Sequence, residues 1–163
     1  MRLPSNNEME IYLAEIRKIS EKSPCTHCQH SALILKNGVI IVTAYVGAPL
    51  FCIPCKERES IYDKCPMGEG EHKCFYPCPA IYAIARAAKN GVELEGCTIY
   101  LSKGTVCENC LPVIIEAGIK MIICDEKLEQ KGSKINRTIQ SMGRRMAIYR
   151  ALTEESGIIL IGK

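Results

Sequence analysis

The sequence predicts one α/β domain in which a β-hairpin precedes alternating helices and strands, so that helices cover a mixed sheet. Residues 31–45 are typical of a hairpin around Asn37-Gly38, and the second half alternates between helical and strand patterns. Residues 119–124 are apolar apart from Lys120, as expected of a strand buried in a parallel arrangement. The length of 163 residues suits a single domain, 1–163.

The first elements are an amphipathic helix over 7–21 and the two hairpin strands, 31–36 and 39–45. The Asn-Gly pair between the strands is a strong hairpin signal, because both turn positions need a positive φ. Residues 46–77 are rich in cysteine, proline, glycine and charge. A loop of that length needs something to order it, which predicts a Cys-rich metal-binding insertion at about 46–77.

Helix and strand patterns then alternate to the end of the chain. Pro79 suits a first helical turn, where its missing N–H costs nothing, and Asn90-Gly91 ends that helix. Gly118 ends the next helix. The predicted elements here are helices 79–90, 108–117 and about 135–157, and strands 97–102, 119–124 and 158–161.

Composition excludes several classes of protein. Apolar residues make up 47% and charged residues 24% of the chain, as in ordinary globular proteins. The net charge of +3 is too small to indicate nucleic-acid binding, and no apolar run approaches the ~20 residues of a membrane span. With no signal peptide evident, we expect a cytoplasmic protein, whose 11 cysteines then point to metal or redox chemistry.

Three cysteines at two predicted helix starts form the first candidate metal site. Cys107 and Cys110 are a Cys-x-x-Cys pair that follows a strand, and the helix N-terminus favours thiolate over thiol. Cys78 begins the preceding helix. Helices packed side by side on one sheet face would bring the three sulfurs together, which suits zinc with a fourth position left for water. The alternative is a redox pair, Cys107 and Cys110, with Cys78 as a core residue.

These residues resemble the zinc deaminases of the cytidine and deoxycytidylate type, in which His-Ala-Glu or Cys-Ala-Glu opens one helix and Pro-Cys-x-x-Cys opens the next. Here 78–80 is Cys-Pro-Ala and 107–110 is Cys-Glu-Asn-Cys, and 44–49 matches the family's Gly-Tyr-Asn-Gly-Ser-Pro region. The resemblance implies a cytidine-deaminase-like three-layer α/β/α fold with a mixed five-stranded sheet. It also implies zinc at the three cysteines, a pyrimidine nucleotide as ligand, and a homo-oligomer.

The resemblance breaks at the residue that moves protons. The family's glutamate falls at Ala80, whose methyl group can neither accept nor donate a proton. The family's sugar-binding Asn is Val46, and the Arg that often follows the glutamate is Ile81. We therefore expect a zinc protein deficient in deamination. The alternative is an active cytosine-nucleotide deaminase whose general acid/base is displaced to Glu108 or Glu59.

A second cysteine cluster flanks the hairpin, with Cys-x-x-Cys pairs at 25–28 and 52–55. Paired in this way, they indicate a structural metal site, a second zinc that would order the long loop. The resemblance adds ligand candidates just upstream of Cys78. The favoured ligands are Cys25, Cys28, Cys55 and Cys74, with Cys52, Cys65 and His72 as alternates. The cysteine density also leaves open a metal or redox sensor module.

Aromatic and apolar residues near the first site complete the prediction. Tyr45 and Val46 are the candidate substrate-binding residues, Tyr45 because its ring could stack on a base. Tyr82 lies one helical turn from Cys78, and we interpret it as a core residue. Cys97 and Cys124 lie in apolar strands and are expected in the core, which leaves them outside both metal sites.

Overall fold

The computed structural model describes residues 2–25, 29–50, 52–53, 78–102, 106–107, 109–125 and 151–162. Its helices are α1 (Asn6–Ser20), α2 (Pro79–Lys89) and α3 (Cys110–Glu116), and residues 151–156 are also helical. Its strands are β1 (Ser31–Lys36), β2 (Val39–Tyr45), β3 (Thr98–Leu101), β4 (Met121–Cys124) and β5 (Ile159–Gly162). No helix in this part of the chain is long and apolar enough to cross a membrane.

The five strands form one mixed sheet in the order β2-β1-β3-β4-β5. β1 pairs antiparallel with β2 and β3, whereas β4 pairs parallel with β3 and β5. The hairpin turns at Asn37 and Gly38, whose φ angles of 53° and 79° confirm the predicted turn. Because β3 and β4 run parallel, their carboxyl ends lie at the same edge of the sheet, and the chain leaves β3 there towards Cys107.

Helices cover both faces of the sheet. α1 lies on one face, where Leu13 and Ile16 join Tyr100 in an apolar cluster. α2 and α3 lie on the other face, where Ala83 and Ile114 belong to a second, larger cluster. These two cores confirm the predicted three-layer α/β/α arrangement with a mixed five-stranded sheet. Since α2 and α3 share a face, their N-termini can meet above it.

The predicted boundaries hold to within two residues wherever the structure describes both ends of an element. The helix predicted from 108 begins at Cys110, because Asn109 is its N-cap. The strand predicted from 119 begins at Met121, because the amides of Ile119 and Lys120 still bond outside the ladder, to Ile114 and Cys97. Most of the insertion at about 46–77 and most of the helix 135–157 lie outside the described residues and stay predictions. The extent of the single domain, 1–163, also stays a prediction.

Gly118 ends α3 in a conformation that a larger residue would disturb. Its φ is +78°, and an added Cβ would collide with the Glu95 carboxylate and lie 3.1 Å from Glu95 Cα. Gly91 also has a positive φ, +64°, but faces open space. We expect Gly118→Ala to lower the free energy of unfolding by about 1–2 kcal/mol more than Gly91→Ala does. Denaturant unfolding measures the difference, and equal losses would contradict the steric role of Glu95.

Candidate metal centre

The three cysteines predicted to bind metal lie at the starts of α2 and α3. Cys78 is the N-cap of α2, with Pro79 as the first helical residue. Cys107 precedes α3, and its carbonyl accepts the amides of Cys110 and Leu111, which opens the helix. The two helices pack on the same face of the sheet, so their first residues converge although 29 positions separate Cys78 from Cys107.

The sulfur atoms of Cys78, Cys107 and Cys110 all lie within 4.8 Å of one another. Cys78 Sγ is 3.4 Å from Cys107 Sγ, and Cys107 is paired with Cys110 as a disulfide with Cα atoms 5.2 Å apart. Sulfurs that share one zinc ion at Zn–S bonds of ~2.3 Å lie about 3.8 Å apart. The three side chains, with the pair reduced to thiolates, therefore fit a single metal ion. We call them the cysteine triad.

The local field favours thiolate at this position. The N-terminus of α2 carries partial positive charge from its unpaired amides, and its first turn contains no acidic residue that would oppose a thiolate. Cys110 is buried, whereas Cys78 and Cys107 are half-buried. The triad is thus only partly shielded from solvent.

The surroundings of the triad are apolar. Ala80, which is 2% exposed, belongs with Val106 and Leu111 to the core cluster against which Cys78 and Cys107 pack. Among the residues that the structure describes, no carboxylate oxygen or imidazole nitrogen joins the three sulfurs. This arrangement can bind a soft or borderline metal, but it presents a methyl group, rather than an acid, on the first turn of α2.

The other predicted site residues fall in three groups. Val46 is buried, and Tyr45 is half-buried with the Arg86 guanidinium 5.8 Å from its ring centre. Cys25 is buried and Cys52 is exposed. The second zinc site stays a prediction, because its other candidate ligands lie outside the described residues. The remaining candidates lie outside the described part of the chain: Cys28, Glu59, Cys55, Cys65, His72, Cys74 and Glu108.

Cys97 and Cys124 are in the core, as the sequence predicts. Burial raises the pKa of the Cys97 thiol, so this side chain stays protonated and is a poor ligand. Cys124, the last residue of β4, belongs to the cluster under α2 and α3. Neither joins the triad, which separates structural cysteines from candidate ligands.

Sequence reasoning missed the role of Tyr82. Its hydroxyl donates a hydrogen bond of 2.5 Å to the Gly47 carbonyl, 35 residues away. The ring packs against the core as expected, but the polar contact depends on how α2 docks beside β2. No local pattern in the sequence signals that contact.

Comparison with known proteins assigns the chain to a family. The sequence profile of the MafB19-like deaminases matches residues 6–152, nearly the whole chain. The chain belongs to the MafB19-like deaminase family. That assignment agrees with the observed order of elements, in which a hairpin is followed by two helices that present cysteines at their N-termini.

Several individual proteins from phages are similar to this MafB19-like deaminase chain. Two deoxycytidylate deaminases, from Enterobacteria phage T2 and Enterobacteria phage T4, are each 26% identical to it over 69% of its length, and 76% and 74% of theirs. The dCMP deaminase of cyanophage S-TIM5 in apo form covers 97% of this chain and 98% of its own, with a TM-score of 0.63 and 15% identity. Its complex with dCMP and dUMP gives a TM-score of 0.65 at 18% identity. These structures show a common fold.

Proposed function

We propose that this chain is a zinc-binding protein of the deaminase fold that binds a pyrimidine nucleotide without deaminating it. One observation carries the proposal. Ala80 lies two residues after Cys78 on the first turn of α2, and the residue is 2% exposed in the apolar cluster against which Cys78 and Cys107 pack. The methyl group of Ala80 can fill space, but it cannot transfer a proton.

Hydrolytic deamination depends on such a transfer. In zinc deaminases the metal activates water, and a glutamate that does not bind the metal carries protons to the leaving amine. A positioned acid or base contributes roughly 10²–10⁴ to a rate. Val106 and Leu111, which belong to the same core cluster as Ala80, also carry no ionisable groups. Three thiolates around a divalent ion would leave a net charge of about −1, which opposes ionisation of a fourth-position water.

Two zinc sites are proposed, and both are formed by cysteines of this chain. Cys78, Cys107 and Cys110 would hold the first zinc through three sulfurs and leave one position for a nucleotide or a water. A second, structural zinc is assigned to Cys25 and further cysteines of the Cys-rich insertion. Both sites need reduced thiols, which a cytoplasmic location would maintain. The protein is also proposed to assemble into a homo-oligomer.

The nucleotide assignment rests on similarity. The phage relatives are named deoxycytidylate deaminases, and the cyanophage enzyme was crystallised with dCMP and dUMP. Tyr45 is the last residue of β2 and Val46 follows it, in the region that α2 contacts through Tyr82 and Arg86. These features support a pyrimidine nucleotide as the ligand class of the site.

Ammonia release is the direct test of the missing activity. Zinc-loaded, reduced protein is incubated separately with dCMP, dCTP and cytidine, beside an active deoxycytidylate deaminase. We expect a rate at least about 100-fold below that of the active enzyme, because the alanine at position 80 cannot transfer protons. A dCMP-dependent rise in melting temperature, measured on the same sample, reports nucleotide binding independently of turnover.

Substitutions at position 80 provide the matched control. Ala80→Glu supplies a carboxyl group, whereas Ala80→Gln adds nearly the same volume and cannot serve as the acid/base. Ammonia release by Ala80→Glu alone would support the proposal. Robust release by the unmodified chain would overturn it and favour a displaced acid/base, which Glu59→Gln and Glu108→Gln would then locate.

A further inference from the structure

Tyr82 connects the cysteine triad to the chain that follows β2. Its backbone amide donates to the carbonyl of Cys78 at 3.1 Å, within the first turn of α2. Its hydroxyl donates to the carbonyl of Gly47 at 2.5 Å. One residue therefore touches both a triad member and residues 45–49, which we call the 45–49 segment. Two hydrogen bonds and one rigid ring separate Cys78 from Gly47.

The 45–49 segment is held from its other side by residues outside α2. The amide of Val46 donates to the carbonyl of His30 at 2.8 Å, and the hydroxyl of Ser23 donates to the carbonyl of Val46 at 2.6 Å. Gly47 is buried, and a Cβ at that position would lie 3.4 Å from the Pro24 ring. The peptide between Val46 and Gly47 is thus clamped between this neighbouring chain and Tyr82.

Arg86, one turn beyond Tyr82, makes a different kind of contact. It donates to the carbonyl of Thr43 at 2.9 Å and lies over the Tyr45 ring. Thr43 and Tyr45 are still paired with β1, so the ladder already fixes this part of the chain. Gly47 lies beyond the last ladder pair, which leaves its position to side-chain contacts such as that of Tyr82.

We propose that Tyr82 is a positioning residue that holds the 45–49 segment at a fixed distance from the triad. When a metal binds the triad and restrains the start of α2, Tyr82 extends that restraint to the 45–49 segment. The inference rests on the proposed zinc site. An ion that joins Cys78 to α3 restrains the first turn of α2, including the Cys78 carbonyl that accepts the Tyr82 amide. The tyrosine hydroxyl extends that restraint to Gly47, so metal binding preorganises the segment beside a nucleotide.

Hydrogen–deuterium exchange of the full chain, zinc-free and zinc-loaded under reductant, tests the proposal. Tyr82→Phe keeps the ring and removes the bond to Gly47. Tyr12→Phe is a matched control, because the Tyr12 hydroxyl donates to the Gly38 carbonyl at 2.7 Å on the α1 side of the sheet. In the parent protein and in Tyr12→Phe, zinc should slow exchange of the Val46–Ala48 amides. In Tyr82→Phe that slowing should fall by about five-fold, the effect of one hydrogen bond.

The possible outcomes separate the two proposals. Exchange that is faster by the same factor with and without zinc in Tyr82→Phe would mean a purely structural bond and would overturn the positioning role. Zinc protection in Tyr82→Phe equal to that of the parent would overturn it as well. If zinc binds the parent without slowing amide exchange in the 45–49 segment, the proposed coupling is refuted, whereas the proposed metal site is not. A parent chain that binds no zinc removes both.

Discussion

Cys107→Ala is expected to weaken zinc binding at the triad by at least about 100-fold. Residues that merely orient a ligand change metal affinity 10–100-fold, and Cys107 would be a ligand itself. At a zinc concentration 1,000 times the dissociation constant, binding stabilises the parent by about 4 kcal/mol. For a domain of this size that corresponds to a rise in melting temperature on the order of 10 °C. At the same zinc concentration a site 100-fold weaker would stabilise the variant by only about 1.4 kcal/mol, so the variant should lose at least about two-thirds of this rise.

Cys97→Ala is the matched control for that experiment. Cys97 is buried outside the triad, with Sγ 3.9 Å from the Glu93 carbonyl. Its loss should lower the stability of the zinc-free protein through the cavity it leaves, while the zinc-dependent rise stays complete. All measurements need reductant, because the disulfide between Cys107 and Cys110 occupies two of the three sulfurs. A full zinc response in Cys107→Ala would refute metal binding by the triad.

Local sequence signals predicted the elements because each rests on short-range chemistry. The turn at Asn37 and Gly38 follows from the tolerance of both residues for positive φ. Apolar periodicity located α1, and the four residues of β4 are fully buried as their apolar run predicts. The equally apolar β5 differs, with Ile159 and Leu160 exposed. Among the described strands β5 lies at the edge of the sheet, and strand order is not encoded in a local pattern.

In the candidate site too, some features could be predicted from the sequence and others could not. The Cys-x-x-Cys spacing and the proline after Cys78 placed the cysteines at helix starts, and the structure brings their sulfurs within 4.8 Å of one another. The bond from Tyr82 to Gly47 could not be predicted, because it depends on the docking of α2 against the end of β2. The same holds for the ion pair between Arg17 and Asp125, which are 108 positions apart.

That ion pair fixes α1 to the end of β4. Arg17 donates to both carboxylate oxygens of Asp125, at 2.5 Å from Nε and 2.9 Å from Nη2. The Asp125 side chain is 0% exposed and that of Arg17 is 29% exposed. The hydrogen bond to Asp125 raises the pKa of Arg17, so the guanidinium stays charged at neutral pH and its contribution would be lost as the pH rises through that raised pKa.

Arg17→Ala is expected to lower the free energy of unfolding by about 3 kcal/mol, because it leaves a buried carboxylate without its cation. The Arg17 side chain is partly exposed, which keeps the loss at the lower end of the range for buried pairs. Denaturant unfolding measures it. Arg2→Ala is the control: Arg2 pairs with Glu8 at 2.5 Å on the surface, where its side chain is 78% exposed, and little change is expected.

A second substitution distinguishes the buried charge from the lost packing of the arginine stem. Asp125→Asn in the Arg17→Ala background removes the carboxylate charge and keeps nearly the same volume. If the uncompensated charge causes most of the loss, the double variant should be more stable than Arg17→Ala alone. If the lost contacts of the Arg17 methylene groups cause it, the double variant should be no more stable. Only the first result makes Asp125 the reason that α1 needs an arginine at this position.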